Sequence, residues 1–154
     1  MQFTLRSFRL AATVLAFTSL AACSKKEDAT PTPTATEGMS WTVDNNNVTT
    51  KTATAQVSGS EVTLTGATGS TGGIFLDVPK TVGTYTLSST STASASYVVT
   101  PAQGSSQFYE ATSGSIVVST ITATAITGTF TFTGALSGGT GTKTLTNGKF
   151  NIKF

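Results

Sequence analysis

The chain has 154 residues, a formal charge of +2, one cysteine and no histidine. The missing imidazole excludes histidine acid–base catalysis, and a lone cysteine without histidine excludes the usual zinc sites. Charged residues make up only 10% and form no basic stripe that could track phosphates, so nucleic-acid binding is not expected.

The chain opens with Met1 to Arg9, which carries Arg6 and Arg9 and no acid, followed by the uncharged, mostly apolar run Leu10 to Leu20. This is the layout of a secretory signal. The run is too short to be read as a spanning helix, which needs about 20 apolar residues. Leu20-Ala21-Ala22-Cys23 resembles the lipobox of bacterial lipoproteins. The resemblance implies cleavage after Ala22, a diacylglycerol on the sulfur of Cys23 and acylation of the new amine. One acyl chain holds a membrane marginally and two or more hold it firmly. Cys23 is thus expected to be a lipid attachment site rather than a nucleophile, and no second cysteine exists to pair with it. Ser24-Lys25-Lys26-Glu27-Asp28 is similar to the charged tag that routes lipoproteins outward in one Gram-negative phylum. That implies the outer membrane and its external face; a plain solvated charge run would leave the protein on the periplasmic face.

Removing residues 1–22 also removes both arginines, so seven lysines face seven carboxylates and the basic excess belongs to the leader. Residues 23–38 then read as an acylated cysteine and a tether. The Pro/Thr stretch Ala29 to Glu37 should be extended and semi-stiff, because alternating prolines disfavour helix and remove sheet donors.

From Met39 to Phe154 the pattern has period two, broken by Gly, Asn and Ser clusters, as expected of strands. Trp41 and Val43 share a face, and Asn45-Asn46-Asn47 suits a turn. Ala53, Ala55 and Val57 continue, followed by Val62 with Leu64, and Ile74, Leu76 and Val78 before Pro79. Tyr85 with Leu87, Tyr97 with Val99, Ile116 with Val118 and Ile121, and Ile126, Phe130 and Phe132 extend the series. Thr146-Asn147-Gly148-Lys149 places Asn-Gly between alternating runs, a hairpin signal. That hairpin would put Leu145 opposite Phe150 and Lys143 opposite Ile152, with Phe154 the last inward residue. Thr supplies 31 of the residues after position 22, mostly at outward positions, where β-branching suits a half-exposed pleated surface. The expected fold is all-β: an antiparallel β-sandwich or half-open meander barrel of about ten short strands. A transmembrane barrel would need longer strands and an apolar outer band.

Met39-Ser40-Trp41-Thr42-Val43-Asp44, Gly83-Thr84-Tyr85-Thr86-Leu87, Gly114-Ser115-Ile116, Gly128-Thr129-Phe130 and Thr146-Asn147-Gly148-Lys149-Phe150-Asn151-Ile152 occur in this order. Together they resemble a family of small β-rich bacterial lipoproteins of unknown function, over about residues 39–154. The resemblance implies fold and location and brings no catalytic residues. Asn45 stands where that pattern has Gly, which implies a longer turn after the opening strand.

Four carboxylates remain for chemistry in the domain: Asp44, Glu61, Asp77 and Glu110. A glycan hydrolase needs two of them about 5–9.5 Å apart across a groove, and no flanking motif supports such a pair. Asp44-Asn45-Asn46-Asn47 lacks the later Gly and Glu of a helix-loop-helix calcium site, so no metal and no cofactor are expected. Phe108 and Tyr109 are adjacent in a strand and must face opposite ways. Phe75 likewise opposes Ile74, Leu76 and Val78. These three are the candidate ligand contacts, since exposed rings stack on sugars or anchor protein partners. The leading expectation is a non-enzymatic binding or adhesion domain for a glycan or an envelope protein. The alternative is a structural or accessory envelope lipoprotein without a small ligand.

Overall fold

The structure, a computed structural model, describes residues 36–154; the expected leader, Cys23 and most of the expected tether lie outside the described residues. Ten strands follow: β1 Gly38–Val43, β2 Asn46–Thr50, β3 Ala53–Ser58, β4 Glu61–Ala67, β5 Gly72–Pro79, β6 Gly83–Thr86, β7 Ser94–Val99, β8 Gln107–Ile121, β9 Ala125–Leu136 and β10 Thr142–Lys153. Every pairing is antiparallel. Nine of them form one path, β2-β1-β10-β9-β8-β7-β5-β4-β3, and β6 pairs separately with β8. The expected all-β antiparallel class is therefore the observed one, realised as a nearly closed barrel-like sheet and not as two packed layers.

The strands at the two ends of the path, β2 and β3, are neighbours in the chain, joined only by Lys51 and Thr52. Thr50 stitches the seam. Its hydroxyl donates to the Ala67 carbonyl at 2.5 Å and accepts from the Thr52 amide at 3.0 Å, while the Ala67 amide donates to the Thr52 carbonyl at 3.1 Å. A buried hydroxyl with both a donor and an acceptor partner avoids the cost of unpaired burial.

Alternation fills the barrel. Val62, Leu64, Ile74, Leu76, Ile116, Ile126, Leu145 and Ile152 are at most 1% exposed, and Trp41, Phe130, Phe132 and Phe150 at most 3%. Full burial of one such aliphatic side chain contributes about 1.5–3 kcal/mol. Outward positions on β9 are Thr127, Thr129, Thr131 and Thr133. The long strands β8, β9 and β10, of 15, 12 and 12 residues, correct the expectation of uniformly short strands. Length alone therefore does not separate this barrel from a membrane-spanning one. The polarity does, since its apolar side is the inside and its outer side carries hydroxyls and lysines, the reverse of a lipid-facing band.

Two turn expectations are corrected. The first turn is not the Asn45–Asn47 run and is not longer. Val43 pairs with Asn46 and Thr42 with Asn47, leaving Asp44 and Asn45, with φ of 50° and 63°, as a two-residue turn. Positive φ at both central positions is the type I′ requirement, which Asp and Asn tolerate. Asn147-Gly148 is not a hairpin at all. β10 runs straight through it, and the register shifts there against both β9 and β1. Thr146 and Asn147 oppose the single residue Thr131, and Asn147 has a φ of 54°: a β-bulge with a left-handed residue. The extra residue flips parity, so Leu145 and Phe150 both point inward, as the pattern requires. Lys143 consequently pairs with Gly134 of β9, not with Ile152. Across the bulge the rings and glycines alternate. Phe130 faces Gly148 and Phe150 faces Gly128, and a Cβ at Gly128 would lie 2.4 Å from the Phe150 ring. Val57 and Phe154, expected inside, are each 40% exposed because they sit where their strands end.

Candidate functional site

The residues proposed from sequence as ligand contacts do not form one site. In β8 the strand period sends Phe108 outward and Tyr109 inward, and they are 47% and 6% exposed. Phe75 projects from the outer face of β5 at 41%. Phe108 pairs across with Val98, and Phe75 with Ser96, both on β7. Phe75 and Phe108 thus share an outer face, two strand intervals and a two-residue offset apart, roughly 12 Å at Cα. Val98 lies between them, outside the barrel core yet only 7% exposed. This is an aromatic platform on a single-layer sheet, and among the described residues no second layer lies above it. Tyr109 belongs elsewhere.

Two carboxylates flank the platform. Asp77 accepts from the Thr63 hydroxyl at 2.7 Å and the Ser94 hydroxyl at 3.0 Å. Glu110 stands opposite Ser96. Strand spacing and a two-residue offset separate Asp77 from Glu110 by roughly 12 Å at Cα. Glu61, opposite Pro79, is a diagonal neighbour of Asp77 at about 7–8 Å. The Asp77 oxygens already accept from two hydroxyl donors. Among the described residues no group of three or more acidic, His or Cys side chains could hold a metal.

Tyr109 faces the rim of the barrel, in a cluster that the sequence reading did not assemble. Its ring centroid lies 6.3 Å from that of Tyr97 on β7, tilted by 34°. Its hydroxyl donates to Gln107 Oε1 at 3.1 Å. Lys143, at an inward position near the start of β10, donates to Asp44 in the β1–β2 turn. These partners are 99 residues apart in the chain, so no local pattern could have joined them. The only signal was Lys143 itself, a charge on an inward-facing position.

The electrostatics of the rim follow from this packing. The hydrogen bond to Asp44 holds the Lys143 ammonium above its ordinary 10.5, with burial pulling the other way. Burial first of all raises the Tyr97 hydroxyl above its ordinary 10.0, Lys143 lowers it, and Asp44 and Tyr109 raise it. Both groups keep their protons longer in the folded state than in the unfolded chain. Their contribution to stability is therefore intact below about pH 10 and lost as pH rises through the raised values. The urea midpoint is expected to fall between about pH 9 and about pH 11, and Lys143→Met should make that fall shallower. An identical fall in the variant would show that the rim does not contribute.

A third feature is an open groove of about 400 Å³ on the outside of the β2-β1-β10 segment. Ser40, Thr42, Asn47, Thr49, Asn147 and Lys149 supply its polar lining. The Thr42 hydroxyl donates to Asn47 Oδ1 at 2.7 Å and accepts from Asn147 Nδ2 at 3.4 Å. Trp41 contributes from below, but its side chain is core, as expected, and its buried Nε1 has no hydrogen-bond partner among the described residues.

Residues 36–152 match a family described as a domain of unknown function, DUF6252. No curated protein and no solved structure matches the chain.

Proposed function

The chain belongs to the DUF6252 family, and from that premise we propose that it is a lipid-anchored protein of the bacterial outer membrane, probing the cell exterior with a non-enzymatic binding barrel. One observation carries the binding role: Phe75 and Phe108 stand exposed on one outer face around Val98. Two rings held on rigid strands lose little freedom on binding and offer apolar area to a sugar ring or a protein side chain. The barrel bore is filled by Trp41, Phe130, Phe132 and Phe150, so a partner meets the outside or the rim. Support for the anchor is the Leu20-Ala21-Ala22-Cys23 sequence after a basic and an apolar segment, and the Pro/Thr stretch supplies the spacer.

The test uses the full chain. Glycan-array and envelope pull-down binding should be lost in a Phe75→Ser, Phe108→Ser double variant with an unchanged melting temperature, since both side chains are exposed. Binding that survives the double variant, or hydrolysis of any arrayed polymer, would overturn the platform reading. Cys23→Ala is expected to release the protein from membranes; unchanged retention would remove the anchor. A structural role without a ligand is the reading left standing if no partner is captured.

A further inference from the structure

We propose that the platform of Phe75 and Phe108 receives an arginine-bearing segment of another protein, held by the two rings together with Asp77 and Glu110. This rests on the reading of that face as the binding surface, and it names what the face binds.

The same arrangement occurs twice, as Phe75-Leu76-Asp77 on β5 and Phe108-Tyr109-Glu110 on β8. In each the middle residue is buried and faces inward. Ring and carboxylate therefore share the outer face, about 7 Å apart at Cα. Both strands are antiparallel to β7, so the two ring–carboxylate pairs run in the same direction. Phe75, Ser96 and Glu110 form one transverse row, Phe75 opposite Ser96 and Ser96 opposite Glu110. Ser96 is small and half-buried. It leaves a low place between a ring and a carboxylate, with Phe108 on its diagonal. The Thr63 and Ser94 hydroxyls orient the Asp77 carboxylate. The Glu110 side chain is exposed and makes no hydrogen bond or ion pair among the described residues.

Charge decides the partner. Residues 61–121, which carry β4 to β8, hold three carboxylates, Glu61, Asp77 and Glu110, against one lysine, Lys80, beyond Pro79. Elsewhere among the described residues Lys51, Lys143, Lys149 and Lys153 outnumber Glu37 and Asp44. The wall that carries the rings is therefore the acidic one. A cation beside an aromatic face is attracted by the ring quadrupole. The methylene stem of a long basic side chain covers apolar surface while its charged head stays in water. Arginine fits better than lysine, because its planar guanidinium stacks on a ring and bonds a carboxylate through two parallel N–H groups. An acidic partner meets repulsion, and a neutral one leaves Glu110 without a counter-charge.

The experiment is fluorescence anisotropy of the full chain in nonionic detergent with dye-labelled, capped hexapeptides of arginine, lysine, citrulline and glutamate. Citrulline keeps the shape of arginine without its charge. The arginine peptide should bind saturably with a dissociation constant on the order of 100 μM. Lysine should bind about threefold and citrulline about tenfold more weakly, and glutamate should not bind. The Asp77→Asn, Glu110→Gln double variant should weaken arginine binding about tenfold and leave citrulline unchanged. Glu37→Gln, which removes the same charge beside β1, should change it less than about twofold. Phe75→Ser, Phe108→Ser should abolish it. Circular dichroism melting of each variant separates lost binding from lost folding, and Glu110→Gln alone provides the comparison should the double variant fail to fold. Three results would overturn this inference and leave the platform standing: no saturable arginine binding, citrulline binding as tightly as arginine, or a dimer of the chain that the ring variant abolishes, which would give the face to a second copy. Arginine binding that survives the ring variant would overturn the platform as well, so the two failures are distinguishable.

Discussion

Gly114→Ala is expected to lower the stability of the barrel by about 3 kcal/mol, through two additive penalties of about 1–3 kcal/mol each. The first is conformational. Gly114 has a φ of 128°, a region closed to residues with a Cβ. The second is steric. A Cβ there would lie 2.2 Å from the Thr131 carbonyl oxygen and 2.5 Å from the Phe132 Cα, and backbone on a central strand cannot step aside. The position is where β8 changes partners. Its first part pairs with β7 through Gln107–Glu110 and its later part with β6 through Ser115–Val118, with a register shift against β9 just before, between Ala111 and Ser113. The bend that lets one long strand serve two short ones needs a residue without a side chain. Gly104→Ala is the control. Its φ is 99°, but a Cβ there would meet nothing within 4 Å, so only the conformational penalty applies, about 1 kcal/mol. Urea midpoints of the two variants measure the difference. Equal losses would mean that the close approach of β8 to β9 does not constrain the fold.

What the sequence revealed and what it concealed divide along one physical line. Strand period is local. Alternation alone therefore marked Val62, Leu64, Ile74, Leu76, Val78, Ile126, Phe130 and Phe132 as inward, and all are at most 3% exposed. The opposite directions of Phe108 and Tyr109 followed from the same rule. Closure is not local. Whether ten strands make two layers or one rolled layer depends on β1 finding β10, with Gly38 opposite Asn151, and no short pattern announces that. The Asn147-Gly148 misreading has the same origin. A left-handed residue serves a hairpin turn and a bulge equally well, and both restore the parity that puts Leu145 and Phe150 inside. The choice was made by β1 and β9, which flank β10 along its length and require one strand where a hairpin would give two. The rim cluster was hidden for the same reason: Asp44 and Lys143 are 99 residues apart in the chain. The lone exposed aromatics were legible as residues, but their exposure depended on how many layers the fold has.

Phe132→Ala should cost about 3–5 kcal/mol, whereas Trp41→Phe, at a residue of larger volume, should cost less than about 1.5 kcal/mol. Phe132 is 1% exposed, lies opposite Leu145 on β10 and Gly114 on β8, and tilts against Phe130 at 6.3 Å. Truncation there opens a void between strands whose backbones are held by ladder hydrogen bonds on both sides, so little collapse can follow. Trp41 is also nearly fully buried, at 2%, but its Nε1 has no hydrogen-bond partner among the described residues. An unpaired buried donor costs about 1–3 kcal/mol. Phenylalanine removes that donor together with part of the ring, so the relief offsets much of the lost apolar contact. The two variants separate volume from polarity within one core. Chemical denaturation of both, at matched slopes, provides the measurement. A Trp41→Phe loss as large as that of Phe132→Ala would mean that the indole N–H is paired in solution, and that the β1 side of the core is held by polarity as well as packing.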